Sequence, residues 1–143
     1  MSLQKIFLFF ALLIVTPYMQ AQNGSVLVRV EGVKNTEGKI QIGLYNDPED
    51  FPNFKESYAV GAAVPNTQET TFVFKDVEPG NYVIALWHDQ NNDQKLTTNM
   101  FGIPKEKYGF SNNASGIFGP PKFKDASFTI NAEENTILTI KLK

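Results

Sequence analysis

The chain has 143 residues, with 13 basic against 15 acidic side chains and a formal net charge of −2. Mild acidity, a lone arginine (Arg29) and no basic cluster make it a poor nucleic-acid binder. Cysteine is absent, which excludes disulfides and a thiol-linked lipid, so an exported form must fold on its core or on a bound ion.

Residues 1–21 read as a secretory signal peptide. Lys5 gives a small positive start, 6–15 is an unbroken apolar run, Thr16-Pro17 interrupt it, and Ala21 offers a small residue for cleavage before Gln22. The run is too short to span a bilayer. Its removal leaves 22–143, with 12 basic against 15 acidic side chains and a net charge of −3. That length predicts one domain, able to bury roughly two-thirds of its surface. No later apolar stretch reaches spanning length, so no membrane span is expected in the mature chain.

From there the period is two. Val26, Val28 and Val30 alternate with Leu27, Arg29 and Glu31; Ile40, Ile42 and Leu44 alternate with Lys39, Gln41 and Gly43. A weaker strand over 58–64 has the poor packing of an edge. Phe72 and Phe74 face away from Val73 and Lys75, and Tyr82, Ile84 and Leu86 point to one side of a strand that runs to Trp87. Phe128 and Ile130, then Leu138, Ile140 and Leu142, complete the set. Spacing and β-branched content make these half-buried strands, separated by turn chemistry at 35–38, 65–67, Pro79-Gly80 and 131–135. The count is seven strands and no convincing helix, which predicts an all-β, antiparallel seven-stranded sandwich.

Two long segments break the pattern. The first, 47–57, places Phe51 and Phe54 beside Pro48 and Pro52. The second runs from His88-Asp89 to Lys124 without helical or strand period, yet carries Phe101, Tyr108, Phe110, Phe118 and Phe123. Loops beyond about 15 residues are uncommon in compact domains, and disordered segments are poor in aromatics. The excursion is therefore expected to be ordered and functional; loops of a sandwich collect at its two ends, so one end surface could hold both.

The run 74–86, with Pro79-Gly80 turning into a strand, resembles prealbumin-like sandwiches of collagen-adhesin B-type repeats and carboxypeptidase regulatory domains. A longer string covers nearly the whole mature chain: His88-Asp89, Asn91, Asp93, Leu96, Asn99, Gly102-Ile103-Pro104-Lys105-Glu106, Tyr108-Gly109-Phe110-Ser111-Asn112-Asn113 and Phe118-Gly119-Pro120-Pro121. It resembles the signature of an uncharacterised secreted bacterial family, catalogued as domain of unknown function 2141. The resemblance implies an exported prealbumin-like or Ig-like β-sandwich without an established activity. This chain departs from that pattern at Asn92 and Gln94, where glycine is common, and at Thr97, where aspartate is common.

Three constellations are candidates for chemistry. Asp89, Asn91 and Asp93, with the Lys95 carbonyl, have the alternate-residue oxygen spacing that opens a calcium loop. Gln94 and Met100, however, replace its glycine and its bidentate glutamate. Closure would need Glu106, Asp125, Asp47 or Asp50; the competing reading is that these side chains cap turns. His88, the sole histidine, is a candidate base with Asp89 or Glu106 and a serine such as Ser111, against the plainer role of a hydrogen-bonding pillar. Tyr108, Phe110, Ser111, Asn112 and Asn113, together with His88, form the candidate ligand-binding set: rings mixed with amides suit a glycan, peptide or small molecule, or else the rings form the loop's own small core. The resulting expectation is an exported, non-catalytic binding or structural module, stabilised by calcium if the loop holds an ion. The alternatives are a small periplasmic hydrolase or lyase using His88, and an adhesion or assembly protein using its open sheet edges.

Overall fold

The computed structural model describes residues 22–143; the expected leader at 1–21 lies outside the described residues. Eight strands form two sheets. The three-stranded sheet has the order β4 (Thr70–Val77), β1 (Gly24–Glu31), β8 (Asn135–Lys141). In the other, β3 (Ala59–Ala63), β2 (Lys39–Tyr45) and β5 (Gly80–Asp89) lie side by side. The far side of β5 is shared by β6 (Tyr108–Phe110) and β7 (Phe128–Ile130).

The inward sets named by the period-two pattern meet between the sheets. Val26, Val28, Ile40, Ile42, Leu44, Ile84 and Ile140 are fully buried in one core cluster, and burial of this kind supplies the main driving force for folding. β3 is the edge strand that its alanines and Gly61 predict. No helix among the described residues is long and apolar enough to cross a membrane.

Two expectations are corrected. The eighth strand, β6, lies within the excursion; three residues with a central glycine are too short to show a period, and pairing of Tyr108 and Phe110 with Trp87 and Ala85 defines it. The sheets are also not wholly antiparallel, because β8 runs parallel to β1 from Ser25↔Asn135 to Glu31↔Lys141. The chain leaves β7 in the five-stranded sheet, turns through 131–134 and crosses into the other sheet, where it enters alongside β1 in the same direction.

Local structure interrupts the long loops as well. A 3-10 turn at Phe54–Glu56, another at Ser111–Asn113 and a short helix α1 (Phe123–Ala126) lie within them. The two loops do not gather at an end of the sandwich. They meet over the outer face of the five-stranded sheet, where Phe51 contacts Phe110 and Phe123 at ring-centroid distances of 5.7 and 6.0 Å. β5 is consequently buried on both faces, with Ile84 and Leu86 toward the main core and Val83 toward the loops.

Candidate functional site

The site begins where β5 ends. His88 continues the inward side of β5 opposite Ile40, and Asp89 falls on the outer side, so strand alternation sends the two side chains to opposite faces. His88 is 2% exposed. Its Nε2 lies 2.7 Å from the Glu37 carbonyl; since a carbonyl only accepts, Nε2 carries the proton. Gly38 makes this approach feasible. It has φ +65°, and a Cβ there would collide with the Asp89 carbonyl oxygen, so glycine lets the β1–β2 connection close against the end of β5.

Asp89 is fully buried, and its carboxylate accepts three bonds. Gln41 Nε2 reaches Oδ2 at 2.9 Å, the Asp93 amide reaches Oδ1 at 3.1 Å, and the Gln94 amide reaches Oδ2 at 3.0 Å. Asn91 and Asp93 continue the same side-chain-to-backbone turn chemistry. Asn91 Oδ1 accepts from the Asp93 amide at 3.3 Å, and Asp93 Oδ1 accepts from the Lys95 amide at 2.9 Å. Asn92 and Gln94 adopt φ of 57° and 58°, the left-handed conformation that favours glycine. The side chain of Lys95 is exposed.

Glu106 buttresses the same loop from the other side. It is 8% exposed, accepts from the Gln90 amide at 3.2 Å through Oε1 and from the Thr97 amide at 2.8 Å through Oε2. Two buried carboxylates thus hold four backbone N–H groups of one loop, and charge-assisted bonds of this kind are among the stronger ones. The other candidates for closing an ion loop lie in separate roles: Asp47 caps the Glu49 amide at 2.9 Å, the Asp50 carbonyl accepts from Asn53, and Asp125 sits in α1. Among the described residues, no group of three or more His, Cys, Asp or Glu side chains is placed to hold a metal ion.

Ser111 to Asn113 form a second set. The Ser111 hydroxyl is fully buried; it accepts from the Ile84 amide at 2.9 Å and donates to the Ala126 carbonyl at 2.5 Å. One oxygen therefore ties the central strand to α1. Asn112, at φ 57°, donates to the Ser127 carbonyl at 2.8 Å. Asn113 imitates a strand residue: it donates to the Thr139 carbonyl at 3.3 Å and accepts from the Lys141 amide at 2.8 Å. The C-terminal part of the β8 edge is covered in this way.

The rings divide into two groups. Phe110 packs edge-on against Tyr108 and Phe51, and Phe51 also meets Tyr45 and Phe123. They form a second small core with buried Tyr45, Val83 and Ala126, and burial pushes the Tyr45 phenol up to about 12. Trp87 packs edge-on against Phe54 at 4.8 Å. Phe101 and Phe118, by contrast, are 80% and 102% exposed.

The structure thus gathers Asp89, Asn91 and Asp93 in one turn, and Tyr108, Phe110, Ser111, Asn112 and Asn113 in another region, with His88 apart from both. Sequence reasoning missed the role of Gln41, whose alternation with Ile40 and Ile42 reads as a solvent-facing residue, and, although the turn at 35–38 was legible, the contact of its Glu37 carbonyl with His88. Neither contact carries a local signal, since each joins partners some fifty residues apart. A model of a family described as an uncharacterized protein conserved in bacteria (DUF2141) matches residues 28–138. No curated protein and no solved structure matches the chain.

Proposed function

The chain belongs to the bacterial family catalogued as domain of unknown function 2141, and from that premise we propose an exported, non-catalytic module on a prealbumin-like or Ig-like sandwich, which uses its long loop as a rigid platform for binding. One observation carries this reading: the polar side chains that would do chemistry bond to main chain instead. His88 holds a carbonyl, Asp89 and Glu106 hold amides, and Ser111 bridges β5 to α1. A general base needs a partner within hydrogen-bond reach and an opening for substrate. Here His88 and Asp89 lie on opposite faces of the sheet and Ser111 is sealed. The outward surface of the loop is what remains available to a ligand.

The same bonds argue that the loop closes through protein donors, without an ion as its organising centre. Hydrogen exchange tests both points. The amides of Gln90, Asp93, Gln94 and Thr97 should be protected in the presence of a chelator, and millimolar calcium should leave that protection and the Tm unchanged. Protection that appears only with calcium would make the loop an ion site, acting through mass-action linkage. Rapid exchange under both conditions would remove the rigid platform altogether.

A further inference from the structure

Two turn apices stand out on the surface of the excursion. The first is a hairpin tip. Thr98 bridges Pro104, the Lys105 amide donates to the Thr97 carbonyl at 2.8 Å, and the Asn99 amide donates to the Ile103 carbonyl at 2.8 Å. Asn99 Oδ1 also accepts from the amides of Phe101 and Ile103. This closed turn holds Met100 at 89% and Phe101 at 80% exposure, with Ile103 beside them at 59%. The second apex is Ile117-Phe118, at 91% and 102% exposure. Its backbone folds back closely on itself, because a Cβ on Gly116 would run into the backbone oxygens of Gly119 and Pro120. Apolar side chains are thus presented on two turns, the first closed by hydrogen bonds and the second by a close backbone approach, while three other rings of the same excursion pack inward.

The charge around the apices is opposite to that of the rest of the molecule. Residues 93–125 carry five lysines against three acids, and one of those acids, Glu106, is buried against amides. The remainder of 22–143 carries 7 basic against 12 acidic residues. Lys105 and Lys107 follow the first apex, Lys122 and Lys124 follow the second, and all four are exposed.

Resting on the platform reading, we infer that the two apices dock the protein on an anionic lipid surface, with the rings entering the headgroup–acyl boundary and the lysines lying on phosphates. Burial of apolar side chains combined with attraction of basic residues to anionic lipid is the general logic of interfacial binding. A folded protein partner suits the geometry less well. Five side chains on two convex turns fall far short of the roughly 20–30 residues a side of a standard protein interface, whereas a bilayer requires no shape match at either apex.

The test is co-sedimentation of the protein of residues 22–143 with phosphatidylcholine vesicles, with and without phosphatidylglycerol, at low and high salt. Hydrogen exchange of the loop amides is run on the same samples. Binding should require phosphatidylglycerol and weaken with salt. It should fall roughly tenfold for each of Phe101→Ser and Phe118→Ser, and Lys105→Gln with Lys107→Gln should remove much of the salt dependence. These residues are exposed, so the variants should melt with the wild type. No sedimentation with anionic vesicles while the loop amides stay protected overturns the lipid inference and leaves the platform standing; unprotected amides overturn the platform itself. Sedimentation indifferent to the Phe101 and Phe118 variants overturns the inference, as does cross-linking from position 101 to a protein by a chain that ignores vesicles.

Discussion

Ser111 shows how far the role of a single residue depends on direction. In the sequence it is a hydroxyl near a histidine and an acid; in the fold its oxygen is fully buried between the Ile84 amide and the Ala126 carbonyl. Ser111→Ala leaves a buried donor and a buried acceptor without partners, and unsatisfied groups of this kind cost about 1–3 kcal/mol. The expected outcome is a lower urea midpoint with an unchanged m-value; a loss below about 0.5 kcal/mol would mean that this pin does not hold the loop. Asp89 carries the same lesson. Its spacing with Asn91 and Asp93 was legible, and so was the choice between turn caps and ion ligands. The amide of Gln41 was not, because a contact across 48 positions leaves no trace in local spacing.

Among the elements, all seven strands expected from the sequence are present, six by their alternation and β3 as the weaker edge. β6 has no such signature. It exists because Gly109 lets it abut β8, where a Cβ would meet Ile140 Cγ2 at 2.8 Å and the Lys141 carbonyl oxygen at 2.9 Å. The small core between β5 and the loops was legible only as a surplus of rings, and it makes a pH prediction. Tyr45 is 1% exposed and donates to the Pro52 carbonyl at 3.2 Å; burial pushes its phenol from 10.0 to about 12. Tyr82 is raised to about 12 as well, by burial first and by Tyr58 next. The unfolded chain loses these protons near pH 10 and the folded chain near pH 12. The contribution is therefore whole below pH 10 and disappears as pH climbs toward 12. Between about pH 10 and about pH 11 the unfolding free energy should fall by about 1 kcal/mol per tyrosine, measured by urea titration. Tyr45→Phe should flatten part of that fall, and an unaltered slope would refute the assignment.

For the whole molecule, β5 joins the two cores, because Ile84 and Val83 serve opposite faces of one strand. The loops should therefore unfold with the sandwich in one transition. Trp87, the sole tryptophan, reports the loop side through Phe54, and far-UV circular dichroism reports the sheets. Coincident urea curves are expected; a tryptophan transition at lower denaturant would show the cap detaching first. The two-sheet architecture was visible in the alternation, whereas the crossing that sets β8 parallel to β1 depends on where a turn delivers the chain, which hydrophobic period does not encode. A sheet flank left open invites pairing with another chain, yet here Asn113 occupies the Thr139 and Lys141 groups, and the Lys143 amide bonds the Tyr108 carbonyl beside them. Molecules adding strand to strand would find the C-terminal part of that side already taken. The opposite flank, β3 and β4, is the side left for a second copy, and an isologous pairing there would close on itself instead of extending into a fibre.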